Sequence, residues 1–510
     1  MSEALVNGPD IRAPDADGAV VLFPSGTAPG RIAIANQRML ALCEERIQNI
    51  PLRHLRTEVR AMSAWAGAPA VVATGHQIEL YHPGVWVKNL VIQTIAKHIG
   101  GQALHLAVDT DAPKHLHLRW PGGGMPISDD PAISGADWLG LVKAPRVGHM
   151  EALVEAFLAA SASWPFEPAM AKPLKDTAAQ PQHSGLLSRY ILDLASKIDR
   201  QIGTELPTVV ASEMWSSRPF LALACHVMAR ADSFAAAYNA ALANYRRRRG
   251  IKRSGVPWPD LRVESERCEV PFWLDDLSAG CRRRAVVVRT ASGWALEHGP
   301  EQHLLRTADD GLSAAESLGA FLAACGLRLS PRAMMLTTFM RLLGSDLFVH
   351  GIGGAMYDRV TDEVIARWFK IEPPPFAVAT ATLYFPTSDS ARRIDLGQLA
   401  IEGRRLRHGW ADPVKRDMAH RIAQAPRLSA ERRRMFDAMH AYLAGRREGE
   451  AFRRWLEHFE ECRRLHEHQK AVFDRELFYG LQPAGRLCAI RERVEQMTHG
   501  GEGLMREMTL

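Results

Sequence analysis

Three short polar stretches, each following an apolar run, carry the residues best suited to chemistry. The first is Gly75-His76-Gln77, with His82 and Lys88 a little further on. The second is Asp109-Thr110-Asp111, and the third is His350-Gly351-Ile352-Gly353-Gly354, followed by Tyr357 and Asp358. Imidazoles exchange protons near neutral pH, and carboxylates do so where their surroundings shift them. A strand that ends in glycines and opens a helix gathers bare N–H groups and the positive helix end at one spot, which suits a phosphate or carboxylate. We therefore take His76, His82, Asp109 and Asp111 as candidate acid–base groups. Gly75, Gln77, Lys88, His350, Gly351, Gly353, Gly354, Tyr357 and Asp358 are candidate binding residues. Two plainer readings stand beside these: His82 as a helix cap, and the glycines as a tight turn between core elements. His105, His115 and His117 match no ligand spacing, and no metal is assigned.

Elements that would position these groups follow from periodicity. Ala70–Thr74 and Ala103–Val108 are apolar runs flanking a helical stretch from Val85 to His98, which Gly100-Gly101 stops. Strand, helix, strand over so short a span is a βαβ unit with parallel strands. Further strands are expected near 207–211, 346–350 and 377–384, all in one mainly parallel sheet. Ligands in such sheets bind outside the carboxyl ends of the strands, at a switch point, so the three polar stretches should meet in one cleft. Tyr357, Val360, Val364 and Trp368 recur at helical spacing and should face the sheet.

Around this core, 1–68 reads as an irregular lead-in followed by an amphipathic helical segment. The core spans 69–386, with insertions at about 121–205 and 246–343. Pro219–Tyr245 reads as one long helix, and Ala285–Arg289 with Trp294–Glu297 as a hairpin through Ser292-Gly293. Segment 387–480 is helical, charged and coiled-coil-like, with a reversal at Gly445 and Gly449. It should pack on itself or on a second copy, which would make a homodimer through this arm. A C-terminal tail covers 481–510.

With 510 residues, 47% hydrophobic and 24% charged, the chain has the composition of an ordinary globular protein. No run approaches the roughly 20 apolar residues that span a bilayer, and the N-terminus lacks a signal-peptide pattern. Seven scattered cysteines without a CxxC fit a reducing cytoplasm. The net charge of +6 sits mostly in arginine runs at 246–249, 282–284 and 432–434. These lack interleaved aromatics, which favours a solvated face over nucleic-acid binding.

Taken together, the motifs resemble the bacillithiol-synthesis cysteine-adding enzyme family, BshC. Thr74-Gly-His-Gln-Ile-Glu-Leu-Tyr81 stands where that family has Thr-Gly-Gln-Gln-x-Gly-Leu-Phe. Leu106-Ala-Val-Asp-Thr-Asp111 is similar to its acidic loop. Leu329-Ser-Pro331, and then Gly351-Ile-Gly-Gly-Ala-Met-Tyr357, are similar to its Leu-Arg-Pro and Gly-Pro-Gly-Glu-Ile-Ala-Tyr. His76, Thr110, Gly354 and Ala355 depart from those patterns. The resemblance implies an α/β fold: a Rossmann-like, mainly parallel sheet core with a small β-containing insertion and a C-terminal helical coiled-coil arm. It also implies a ligase joining cysteine to an amine of a sugar-type acceptor. Such a reaction needs ATP, with Mg2+, to activate the carboxylate, and the candidate binding residues would then hold small-molecule substrate and nucleotide. Two rivals remain: a binding or scaffold protein that keeps an anion pocket without catalysis, and an arginine-rich nucleic-acid binder.

Overall fold

A computed structural model describes residues 11–65, 67–179, 185–253, 257–306, 311–386 and 394–499. The chain divides into two compact units, Met1–Tyr384 with Arg475–Leu510, and Phe385–Asp474. Among the described residues no single helix is long and apolar enough to cross a membrane.

The larger unit is built on a six-stranded sheet. Its strands in chain order are β1 (Val20–Phe23), β2 (Val71–Gln77), β3 (Gln102–Val108), β4 (Thr208–Val210), β5 (Leu347–His350) and β6 (Ala377–Ala381). Their order across the sheet is β1-β6-β5-β2-β3-β4. Strands β2 to β6 are mutually parallel, and β1 runs antiparallel to β6 at the edge. Every side chain of Val71–Thr74 and of β5 is buried, as expected of strands covered on both faces. Each of the five strands expected from the sequence is therefore present in this sheet.

Three helices bear most directly on the sheet's edges: α1 (Leu52–Arg60), α2 (Pro83–His98) and α3 (Ile352–Val364). Trp86, Val87, Leu90, Val91, Ile92 and Ile95 of α2 are all buried, so this helix is covered nearly all round. A Cβ at Gly84 would lie 2.8 Å from the Ala381 carbonyl oxygen and 2.9 Å from Thr380 Oγ1. Only glycine lets the first turn of α2 approach β6 so closely. Val360 and Val364 of α3 are buried, with Tyr357 and Trp368 packed against the same core.

The structure corrects three sequence expectations. The lead-in is not wholly irregular, because Val20–Phe23 forms the antiparallel edge strand. A run of four residues is too short to show a period, and its pairing partner lies at the far end of the core. Pro219–Tyr245 is not one helix but two, Arg218–Met228 and Ala231–Arg249, bent by 87°. Arg230 takes φ −129° and ψ 38° between them, although no glycine or proline marks the break. The segment from about Ala314 to Leu343, whose apolar pattern reads as helices, is interrupted by the strand Leu327–Pro331.

That strand completes a five-stranded antiparallel sheet with Arg267–Asp276, Cys281–Thr290, Gly293–His298 and Glu301–Leu304. Thr290 pairs with Gly293, so the hairpin forms as expected but turns through Ala291-Ser292, one residue earlier than the sequence suggested.

In the smaller unit the helices are Leu396–Arg407, Pro413–Gln424, Ala430–Arg447 and Glu450–Val472. The two long helices do not mainly pair with each other. Met439 and Leu443 of one pack on Ile422. Trp455 of the other donates from its indole to the Leu399 carbonyl at 3.0 Å, crossing against Gly403, where a Cβ would overlap its ring.

Asp346, just ahead of β5, ties the start of the sheet together. Its buried carboxylate bonds Arg56 at 2.5 Å and Arg60 at 2.8 Å from α1, and accepts the Val71 N–H at 2.7 Å. Burial pulls the Arg56 guanidinium down to about 10 even though Asp346 opposes the shift. Asp346→Ala would leave these buried cations uncompensated, and we expect a loss of about 3–5 kcal/mol, measurable by urea denaturation. A loss below about 1 kcal/mol would show that the pair behaves as a surface ion pair.

Candidate functional site

The chain leaves β2 toward β3 and β4 on one side, and later builds β5 and β6 on the other. The switch point therefore lies between β2 and β5, whose carboxyl ends lead toward α2 and α3 respectively. A cleft of ≈ 720 Å³ opens there. Gly75, His82 and Lys88 line it from the β2 side, and His350 with Gly351–Gly354 from the β5 side. Thr380 and three arginines, Arg12, Arg249 and Arg475, complete its polar lining. No carboxylate is among these described lining residues.

Each group's local setting follows from its element. His82 caps α2, its Nδ1 accepting the Gly84 N–H at 3.1 Å. Lys88 is only 4% exposed, and its ammonium reaches the Gly75 carbonyl at 3.4 Å. Burial pushes the amine down to about 8, against the attraction of Glu79. The α3 helix begins at Gly351 with no side-chain cap, so its first N–H groups are left for solvent or a ligand. Added Cβ atoms at Gly351 and Gly353 would meet nothing within 4 Å. The fold itself does not require glycine at either position, whereas close approach of a ligand to the backbone does.

The other candidates do not line this cleft, which corrects the expectation that all would converge. The His76 ring packs 4.2 Å from His105 and 4.5 Å from Tyr81, with Nε2 at 3.4 Å from Asn89 Oδ1. Burial keeps both imidazoles well below the ordinary range, His105 at about 3, so both are neutral. Asp109 accepts the Ser212 N–H at 2.9 Å and the Ser212 hydroxyl at 2.6 Å, which fixes the turn after β4. Asp111 accepts from Gln77 Nε2 at 2.5 Å, so those two candidates satisfy each other. Tyr357 faces Trp258, with 5.7 Å between ring centroids. Asp358 is buried behind His350, whose Nε2 it meets at 3.0 Å.

Sequence reading missed the three arginines. Arg249 belongs to a run that reads as a solvated face, yet Arg246 pairs with Asp260 while Arg249 turns to the cleft. Arg12 and Arg475 come from opposite ends of the chain, and no local pattern marks them. Tyr479 was also missed. Its ring lies parallel to Tyr81 at 5.3 Å and to Trp86 at 5.1 Å, and its N–H donates to the Tyr81 carbonyl, so it holds the loop that presents His82. Tyr479 and Trp86 of this stack each donate to Asp199 at 3.0 Å.

No protein family and no curated protein matches the chain.

Burial pushes the Asp199 carboxyl up to about 7, although both donors pull the other way. An unfolded aspartate titrates near 4, so between about 4 and about 7 the folded state holds more protons than the unfolded chain. Stability should therefore fall as pH rises through that window. Asp199→Asn keeps a neutral acceptor for Trp86 and Tyr479. It should flatten the dependence between about pH 4 and about pH 7, read from urea midpoints. An Asn variant with the same slope as the parent would remove Asp199 as the cause.

Proposed function

We propose that the chain is an ATP-dependent ligase of the cysteine-adding kind, forming an amide between an amino-acid carboxylate and an amine of a small sugar-type acceptor. The observation that carries this reading is the meeting of Lys88, Arg12, Arg249 and Arg475 with the uncapped start of α3 in one cleft at the switch point. Four cationic side chains and the uncapped N–H groups of a helix start, with no carboxylate among the described lining residues, suit the phosphates of a nucleotide. On the same reading the main sheet is a Rossmann-like core, the smaller unit a coiled-coil-like arm, and the compartment cytoplasmic. A second copy packed through the arm belongs to the same proposal.

The chemistry follows from the weakness of a free carboxylate as an acyl donor. ATP would convert it to an acyl-adenylate or acyl-phosphate, and the acceptor amine would then attack the acyl carbon. Arg12, Arg249, Arg475 and Lys88 would offset the charge on the phosphates. Because no carboxylate lines the described cleft, Mg2+ would arrive bound to the nucleotide and not be held by the protein. His82 would cap α2 and shape the cleft wall.

A second reading is a protein that binds an anion in this cleft without turning it over. It is favoured by Asp109, Asp111 and His76, which are committed to structural contacts away from the cleft. Nucleic-acid binding is disfavoured, because Arg246, Arg282 and Arg284 from the arginine runs are engaged with Asp260, Asp275 and Glu269.

Calorimetric titration with ATP should show binding. Gly353→Ala should weaken it at least about tenfold, a cost of about 1.4 kcal/mol, while the melting temperature does not fall, since the added Cβ meets no atom within 4 Å. Release of phosphate or pyrophosphate on adding cysteine and an amino-sugar acceptor would support the ligase. Binding with no release under any such combination would favour the second reading, and no binding would exclude the nucleotide.

A further inference from the structure

His350 is the other imidazole of the cleft, and its surroundings differ from those of His82. The ring ends β5 and is held between Phe348 and Phe376, each with a centroid at 4.8 Å. Nε2 lies 3.0 Å from Asp358 Oδ2. That carboxylate is 2% exposed and also takes Arg341 at 2.5 Å and the Thr337 hydroxyl at 2.8 Å. Burial would raise the Asp358 carboxyl, but Arg341 and His350 together outweigh it and hold it below the usual carboxylate range. Asp358 is thus an ionised acceptor, and the hydrogen on His350 must sit on Nε2. The lone pair is then on Nδ1.

Gly354 shows which way Nδ1 faces. A Cβ there would lie 2.9 Å from Nδ1, with no heavy atom outside the His350 side chain among its nearest contacts. Gly354 is exposed and lines the cleft. Nδ1 has no hydrogen-bond partner among the described residues, whereas His82 Nδ1 is committed to the Gly84 N–H. Behind the ring, Arg341 is shared by Asp358 and Asp362, at 2.5 Å to each. On the cleft side stand Lys88 and the arginines, whose charge a bound phosphate would offset.

We infer that His350 is the proton acceptor of the cleft, acting through Nδ1, and that Asp358 is the positioning residue that fixes its tautomer. The inference rests on the ligase reading for its substrate, an amine beside an activated carboxyl group. In the step, the amine nitrogen bonds to the acyl carbon, the bond from that carbon to the phosphate oxygen breaks, and the phosphate group leaves with its electron pair. The nitrogen's proton passes to Nδ1.

The test uses the full chain labelled with 15N-histidine, with the His350 resonances identified by their loss in His350→Gln. Expected is a ring protonated at Nε2 and bare at Nδ1, and a change of tautomer balance in Asp358→Asn. A ring carrying its proton on Nδ1 overturns the inference. Because Asp358→Asn also disturbs Arg341, a second variant guards against misfolding. Gly354→Ala places a methyl against Nδ1 at an exposed position, and it should slow modification of His350 by diethyl pyrocarbonate at least about tenfold, the effect of about 1.4 kcal/mol on a barrier, read by peptide mapping. An unchanged rate, or a His350 that resists the reagent in the parent protein, would mean that Nδ1 does not face the cleft. Turnover with ATP, cysteine and an amino-sugar acceptor is read separately. Loss of about 10²–10⁴ in His350→Gln supports the role, and full turnover in that variant overturns it while leaving the ligase intact. A labelled, correctly protonated His350 in a parent protein without turnover supports the dyad and tells against the ligase.

Discussion

The buried carboxylate of Asp346 is the constraint on which the cleft depends. It lies at the amino end of β5 and accepts from the first residue of β2, while both its oxygens draw in arginines of α1. These are the two strands that flank the switch point. Fixing their amino ends fixes the register Leu347 to Val72, Phe348 to Ala73 and Val349 to Thr74. The carboxyl ends are then obliged to leave the sheet side by side and turn into separate helices. The gap between those helices is the cleft, so an ion pair at one edge of the sheet sets the geometry of the other.

Glycine serves two unlike purposes at that edge. At Gly84 it removes a clash between the first turn of α2 and the backbone of β6, which is a packing role inside the fold. At Gly351 and Gly353 no atom stands where a Cβ would go, and neither residue has a positive φ. Those two positions could carry a Cβ without strain, so packing inside the fold does not account for glycine there. Gly354 belongs to neither class, since its missing Cβ keeps one face of His350 open.

Much of this was legible in the sequence because it is local. The apolar runs at 71–74, 103–108 and 347–350 have one reading as buried strands, and the glycines after β5 mark a strand-to-helix turn wherever they occur. His82, Lys88 and His350 could be placed at the same edge from strand order alone. Asp109 and Asp111 could not be told from catalytic carboxylates, because the groups that engage them, Ser212 and Gln77, become neighbours only once the sheet has formed. The arginines of the cleft illustrate the same limit. Arg12 precedes the first strand and Arg475 follows the helical arm, so their contribution depends wholly on tertiary folding. The bend at Arg230 likewise falls in a stretch whose propensity alone favours a continuous helix.

Burial and charge pull against each other at Lys88. Lys88 is buried with only a long contact to the Gly75 carbonyl, and its amine is driven down toward neutrality by desolvation. Arg12, Arg249 and Arg475 line the same cavity, and no carboxylate stands among its described lining residues. Elsewhere buried arginines sit directly on buried carboxylates: Arg56 on Asp346, Arg282 and Arg328 on Asp275, and Arg341 on Asp358. The contrast separates two populations of cations. Those in the scaffold sit on buried carboxylates, whereas those lining the cleft share it with no carboxylate among its described lining residues.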